Sequence, residues 1–309
     1  MRRLAAIALS LAALAACLLA VAFSAASFTD TEQNPQAVSA VADFVGPTAS
    51  ASTLGKTQGG VDGYVTSKGT YYVYANVADS GSPASGIASV KANVSSITSG
   101  QTAVALVAGS YTADGVTYNY RSAQLTASTG LSAGAKSYSL ALADSAGNAE
   151  SQSFSVTVDN GPFKGSDFET ENVSHGTEGK SEQGDVVSFE FNKAPEPNSI
   201  VSGWNGSGTK SVTVSITNSS ENDGLVVSGA TIGSVALKGD FTASTATFSG
   251  STMSLSGSTV TIVLGAASGS IKTDTDKSKA VWTPSASNYD VAGNASSAST
   301  VTGANKKQF

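Results

Sequence analysis

Cysteine and histidine are nearly absent from this chain, and their scarcity excludes several kinds of chemistry. The 309 residues contain one cysteine, Cys17, and one histidine, His175. Cys17 lies in an N-terminal apolar run of the export-signal type, so we expect no disulfide, thiolate metal site or thiol nucleophile in the mature chain. A Ser-His-Asp triad or a histidine metal site would need His175. Its polar, glycine-rich surroundings predict a solvated loop residue instead.

Charged residues are also few, at 13 % of the chain, and the basic ones form no cluster. Residues 1–27 contain two arginines and no acid, so the remainder has 15 basic and 23 acidic groups and a net charge of −8. Dispersed negative charge repels phosphate backbones, so we expect no nucleic-acid partner. No phosphate-binding loop is present, and the acids lack an aromatic-rich groove segment. We therefore predict that the protein is not an enzyme and has no cofactor.

The N-terminus has the order of an export signal. Two arginines precede an apolar run from Leu4 to Phe28, which ends in small residues suited to signal peptidase. We predict a signal peptide at residues 1–27 and a secreted or cell-surface location. Two alternatives stay open. In the first, the run is not cleaved and spans a membrane as a helix, which is the only membrane contact that we expect of the peptide chain itself. In the second, Cys17 is lipidated, because Leu14–Cys17 fits the pattern for lipidation.

Beyond the N-terminus, short segments alternate apolar and polar residues with the period of two that is typical of half-buried strands. Tyr71, Val73, Ala75 and Val77 form one such series. Gly- and Ser-rich turns separate the segments, and about seven strands fall within roughly 110 residues of the first half, as a two-sheet sandwich requires. We predict an all-β fold of two tandem β-sandwich modules behind an N-terminal signal helix.

Changes in composition set the predicted domain boundaries. Residues 28–47 form a tether, 48–160 the first module, 161–184 a polar linker or opening segment, and 185–309 the second module. Trp204 and Trp282 are the predicted large core or rim residues of the second module.

One six-residue turn closes both modules. Asp-Ser-Ala-Gly-Asn-Ala at 144–149 recurs as Asp-Val-Ala-Gly-Asn-Ala at 290–295, each time before a terminal strand. Asp and Asn side chains can bond backbone groups of such a turn, while Gly takes a positive φ. We therefore predict structural roles for Asp144, Gly147, Asn148, Asp290, Gly293 and Asn294.

Calcium is the ligand that we weigh against this structural interpretation. Ca²⁺ takes six to eight oxygen ligands, and oxygen-bearing side chains fall at strand ends and turns of the first module. No established calcium motif accompanies them, so structural turns remain the prediction. The alternative is a calcium site formed from Asp79, Asp144, Asn148 and Asp159.

Two sets of residues carry a resemblance to known families. Asp79-Ser80-Gly81, Ser85–Val90, the Asp-x-Ala-Gly-Asn turn and Val156–Asn160 resemble a bacterial immunoglobulin-like domain of surface and adhesin proteins. Gly184–Asn192, with Ser199-Ile200 and Gly203-Trp204, is similar to a second class of such domains in surface-layer proteins. Together they cover most of residues 48–300. Phe28–Glu32 resembles the mature start of the camelysin and biofilm-matrix fibre family.

The resemblance implies immunoglobulin-like modules with spacer, adhesion or carbohydrate-contacting roles, none of which is fixed by the fold. We expect a noncatalytic secreted or cell-surface structural or adhesion protein. The alternative is an extracellular protein that binds polysaccharide or another ligand, because Tyr72 with Tyr74, and Tyr118 with Tyr120, could form aromatic rows on a sheet face. The expected partner is an extracellular protein, a glycan or a second copy of this chain.

Overall fold

The structure is a computed structural model that describes residues 43–56 and 61–309. The predicted signal peptide and residues 28–42 of the predicted tether lie outside the described residues. Nearly all of the regular secondary structure in the described part is strand, which confirms the all-β prediction. The strands are β1 Thr48–Lys56, β2 Tyr64–Val65, β3 Thr70–Ala78, β4 Ile87–Asn93, β5 Val104–Ala113, β6 Val116–Ser122, β7 Leu125–Thr126, β8 Gly134–Asp144, β9 Ala149–Val158, β10 Phe163–Glu171, β11 Val186–Phe191, β12 Lys210–Thr217, β13 Gly224–Ser228, β14 Ser234–Ala236, β15 Ala246–Ser256, β16 Thr259–Val263, β17 Ala266–Ser268, β18 Val281–Thr283, β19 Ser296–Ser297 and β20 Val301–Thr302; a single described helical turn, α1 Pro197–Ile200, follows β11.

The first sheet has the strand order β1-β3-β6-β5-β4-β8-β9-β2, with β7 paired to β3. Strand β5 pairs with both β6 and β4, so the sheet curls and its two halves share one core. Val73 of β3, Leu140 of β8 and Val156 of β9 meet in this core, as the period-two pattern predicts. The Tyr138 hydroxyl crosses between the halves and donates to Ser52 Oγ at 3.0 Å.

The second sheet has the order β19-β10-β11-β16-β15-β12-β13-β14-β18-β20, with β17 paired to β15. Its first strand along the chain, β10, lies inside residues 161–184, which the sequence marks as a linker or opening segment. A bulge between Gly165 and Asp167 shifts the alternation of β10, so Phe163 and Phe168 are both buried although they are five residues apart. This irregular spacing hides the strand from a search for a period of two.

Aromatic side chains fill the second core. Trp282 is fully buried, its ring contacts Phe189 and Phe191 edge-on, and its Nε1 donates to Ile232 O at 2.9 Å. Gly165 permits this packing, because a Cβ there would lie 2.7 Å from Trp282 Cζ3. Trp204 is also buried, which places both tryptophans in the core.

The described residues belong to one compact unit, within which each sheet has its own hydrophobic core. We call residues 43–160 the first module and residues 161–309 the second module. Across the described ranges, the structure contains no helix long and apolar enough to cross a membrane.

Candidate functional site

The repeated turn at residues 144–149 is held by hydrogen bonds to the Asp144 carboxylate. Asp144 accepts hydrogen bonds from the backbone N and the Nδ2 of Asn148, both at 2.7 Å. Gly147 lies between them with φ +96°, a region that favours glycine. Asp144 is only 3 % exposed, so its carboxylate is held inside the end of the first module.

The turn at residues 290–295 repeats this arrangement. Asp290 accepts from the backbone N of Asn294 at 2.8 Å and from its Nδ2 at 2.9 Å, and Gly293 has φ +90°. Asp290 is fully buried. The matching sequences therefore adopt the same hydrogen-bonded turn at two places in the chain.

Each turn binds the chain segment that leads into its module. Asn148 Nδ2 donates to Asp43 O at 3.1 Å, and Asn294 Nδ2 donates to Asp159 O at 2.9 Å. Asp43 and Asp159 each also accept from the backbone two residues further on. The sequence analysis missed Asp43, although a Gly-Pro dipeptide follows soon after both aspartates and marks their equivalence. We call Asp43, Asp79, Asp144 and Asn148 the first pole, and Asp159, Lys193, Asp290 and Asn294 the second pole.

The first pole gathers three carboxylates. Asp43, Asp79 and Asp144 each place a carboxylate oxygen within 4.8 Å of the other two. No lysine or arginine of the described ranges forms a salt bridge with them. Three of the four calcium candidates, Asp79, Asp144 and Asn148, thus come together with Asp43, whereas Asp159 belongs to the second pole.

Hydrogen bonds from N–H groups lower the pKa of two of these carboxylates, Asp43 and Asp144. Backbone hydrogen bonds from Val45 and Ser85 lower the pKa of Asp43. Burial alone would raise the pKa of Asp144, but the hydrogen bonds from Asn148 outweigh it and lower that pKa. Asp79 accepts from the Gly86 backbone N at 2.7 Å. The donor set is of the type that Ca²⁺ uses, yet protein N–H groups alone also account for the arrangement.

At the second pole a lysine lies among the carboxylates. Lys193 Nζ lies 2.8 Å from both carboxylate oxygens of Asp159 and 3.4 Å from Asp290 Oδ2. It also donates to Gly161 O at 2.9 Å. Lys193 comes shortly after β11, and Asp79 comes directly after β3. The second pole therefore has a cation where the first pole has an acid.

The second pole is also where the first module contacts the second. Lys56 Nζ donates to Val61 O and to Val291 O, and Thr66 Oγ1 donates to Asn294 Oδ1 at 2.7 Å. We call this contact the joint. Burial lowers the pKa of Lys56 to about 8, and burial raises the pKa of the neighbouring Asp62 to about 6.

The tyrosines predicted to form outward rows occupy mixed positions. Tyr74 and Tyr118 are almost buried, with ring centroids 5.5 Å apart, and Tyr72 is half-buried beside Tyr74. Tyr120 packs against the first core, so it does not form a row with Tyr118. The bulge of β5 between Ala108 and Tyr111 breaks the regular pairing with β6 at this point.

An arginine extends this aromatic group. The guanidinium carbon of Arg121 lies 4.4 Å from the ring centroid of Tyr72 and 4.3 Å from that of Tyr111. We call these three residues the Tyr-Arg-Tyr row. Sequence reasoning missed it, because only the strand pairing brings the three side chains together.

His175 is exposed and has φ +71° in the loop between β10 and β11. Comparison with protein-family models and with curated proteins finds no match for this chain.

Proposed function

We propose that this chain is a noncatalytic extracellular structural or adhesion protein built of two immunoglobulin-like modules. The observation that carries the proposal is the joint. The turn that closes the second module also receives the first module, through Thr66 on Asn294 and Lys56 on Val291. A turn used both to close a module and to seat its neighbour supports a role in arranging modules end to end.

The composition of the chain fits the same role. Low charge, many serines and glycines and the near absence of cysteine are compatible with a secreted chain whose sheets are held by burial alone. The export-type N-terminus supports a location outside the cytoplasm.

Fractionation of a bacterium that expresses the whole chain tests the location. We expect the protein in the medium or accessible to protease on intact cells, with an N-terminus at Ser27 or Phe28. A form that retains the apolar run or carries lipid at Cys17 would correct the signal-peptide prediction. A form found only in the cytoplasm would overturn the proposed function.

Attachment assays test the role itself. Cells that display the chain are compared with cells that lack it for attachment to one another and to coated surfaces. An increase in attachment, or a measurable extension of the surface layer, supports an adhesion or spacer role. Hydrolysis or group transfer that purified protein catalyses on a cell-wall substrate would contradict it.

A second candidate function is ligand binding on the outer face of the first sheet. The Tyr-Arg-Tyr row is the observation that favours it.

A further inference from the structure

We infer that the Tyr-Arg-Tyr row of the first module binds an acidic polysaccharide, with a sugar carboxylate on Arg121 and sugar rings against the tyrosines and neighbouring apolar surface. This inference rests on the extracellular location in the proposed function and specifies the ligand of its binding alternative.

Arg121 stands out first by its charge. It is the only arginine beyond residue 3, in a chain whose acids outnumber its bases. Each of the five salt bridges among the described residues uses a lysine, and Arg121 takes part in none of them. A guanidinium has a planar fork of N–H donors that matches a carboxylate in a bidentate arrangement. Arg121 therefore has the chemistry of an anion receptor without an internal carboxylate partner in this part of the chain.

The two tyrosines hold the guanidinium in place. Arg121 lies on β6 between Tyr72 of β3 and Tyr111 of β5, and its guanidinium carbon is within 4.5 Å of both ring centroids. Contacts of this kind stabilise the cation through the ring quadrupoles and limit its rotation. The guanidinium also hydrogen-bonds Tyr74. The N–H groups outside that bond are what remains for an anion.

Two glycines let the rings lie close to the sheet. A Cβ at Gly109 would lie 2.7 to 2.9 Å from atoms of the Tyr111 ring, and a Cβ at Gly55 would lie 2.6 Å from the Tyr74 ring. Side chains at these positions would push the rings away from the backbone. The glycines therefore allow these rings to pack against the outer face of the sheet, where Tyr72 and Tyr74 meet edge-on.

Exposed apolar surface adjoins the guanidinium. Val107 pairs directly with Arg121 across β5 and β6 and is 63 % exposed. A guanidinium beside aromatic and aliphatic surface suits a ligand that joins a carboxylate to a ring with apolar C–H faces. A uronic-acid polysaccharide has both features in each residue. An acidic peptide would offer the carboxylate without the ring.

Acidic side chains limit where the ligand can lie. Asp62 adjoins Gly55 and Tyr74, and Asp114 is at the tip of the β5–β6 hairpin beyond Tyr118. Both would repel a second carboxylate. We therefore place the ligand across Tyr72, Arg121 and Val107, away from the hairpin tip.

Binding of the exported protein to polygalacturonate in 0.15 M salt tests the inference. Dextran of similar length serves as the neutral polymer and polyglutamate as the acidic peptide. We expect binding to polygalacturonate that exceeds binding to either of the others and weakens in 0.5 M salt. Arg121→Ala should reduce the affinity at least about tenfold, and Arg121→Lys should restore only part of it, because an ammonium lacks the planar fork.

Val107→Asp gives a variant that leaves the tyrosines and Arg121 in place. The new exposed carboxylate would lie beside Arg121 and compete with the ligand, so we expect a similar loss of binding. Val226→Asp is the matched control, since Val226 is a 44 % exposed strand residue of the second module, and Lys91→Ala controls for the loss of one exposed positive charge. Both controls should change the affinity less than about twofold.

Three outcomes would overturn the inference: no binding to polygalacturonate, equal binding to dextran, or unchanged binding by Val107→Asp. Binding to polyglutamate as strong as to polygalacturonate would assign the surface to an acidic peptide instead. Export and cell attachment are measured separately, so a protein that reaches the surface and promotes attachment without binding polygalacturonate would refute the ligand alone.

Discussion

Lys193 Nζ lies 2.8 Å from each carboxylate oxygen of Asp159, at a pole whose counterpart has the carboxylate of Asp79 in the corresponding place. The two modules thus share a closing turn and differ in the charge beside it. The second pole contains its own cation, and the first pole is acidic. The stability of the two ends should therefore respond differently to substitution and to pH.

Lys193→Met should destabilise the second module by about 2 to 3 kcal/mol, because it leaves the buried Asp290 and the partly buried Asp159 without their ammonium partner. Denaturant unfolding followed by tryptophan fluorescence measures this, since both tryptophans lie in the second core.

The pH dependence of the same variant follows from Asp159. Burial alone would raise its pKa, but the hydrogen bond and charge of Lys193, together with the hydrogen bond from the Gly161 backbone, outweigh burial and lower it. A lowered folded-state pKa gives stability that is present above the unfolded value of about 4 and lost as the pH falls through the folded value. The difference between wild type and Lys193→Met should shrink below about pH 4. A constant difference down to pH 2 would contradict the pairing.

The closing turn of the first module should be structural. Asp144→Ala should lower the melting temperature because it removes both bonds from Asn148. Gly147→Ala should cost about 1 kcal/mol or more, since the native φ is positive. Both effects should be the same with and without EDTA, and Ser151→Ala, an exposed change on β9, should have none. A wild-type protein that gains several degrees with Ca²⁺, with the gain lost in Asp144→Ala, would show a metal site instead.

The joint should become more stable in mild alkali. Burial lowers the pKa of Lys56 from 10.5 to about 8, so the folded chain releases this proton before the unfolded chain does. The stability of wild type relative to Lys56→Met should therefore rise between about pH 8 and pH 10, by an amount on the order of 1–2 kcal/mol. Chemical unfolding of the two proteins at several pH values measures the difference. Lys91→Met, at an exposed lysine, should show no such trend.

The ring of Phe309 should stabilise the second core strongly. It is 2 % exposed and contacts Phe241 edge-on at 5.6 Å, so Phe309→Ala should cost about 3 kcal/mol. Lys307→Ala removes only a surface contact to the exposed Glu178 and should cost less than about 0.5 kcal/mol. Thermal unfolding compares the two. Equal effects would show that Phe309 adds little to the core.

The first module should fold by itself when its pole is complete. Residues 43–160 include Asp43, which accepts from the backbone N of Ser85 at 2.8 Å and ties the entry segment to the module. We expect a cooperative all-β unfolding transition for this fragment, and a lower melting temperature for residues 48–160. An unfolded fragment 43–160 would show that the two sheets depend on each other.

The sequence by itself determined the strand class and the turns. In segments such as Tyr71–Val77 the side chains alternate between two faces, and one of these faces is buried. A period of two is the period of a strand, so the pattern predicts a strand whichever strands it pairs with. The hydrogen bonds that define the turn join Asp144 to Asn148 within five residues, with Gly147 between them, so the local sequence is sufficient to define the turn. The repeat at residues 290–295 follows for the same reason.

Only the tertiary structure determined which residues far apart in the sequence come into contact. Asp43 joins Asp144 across about 100 residues, and Tyr72, Tyr111 and Arg121 meet only because β3, β6 and β5 are neighbours in the sheet. The bulges in β10 and β5 shift the alternation of side chains. For this reason the period of two did not predict β10. Tyr118 and Tyr120, next to the bulge of β5, pack in different clusters. A bulge responds to the partner strand as well as to the local sequence, so periodicity cannot predict which residues such a strand buries.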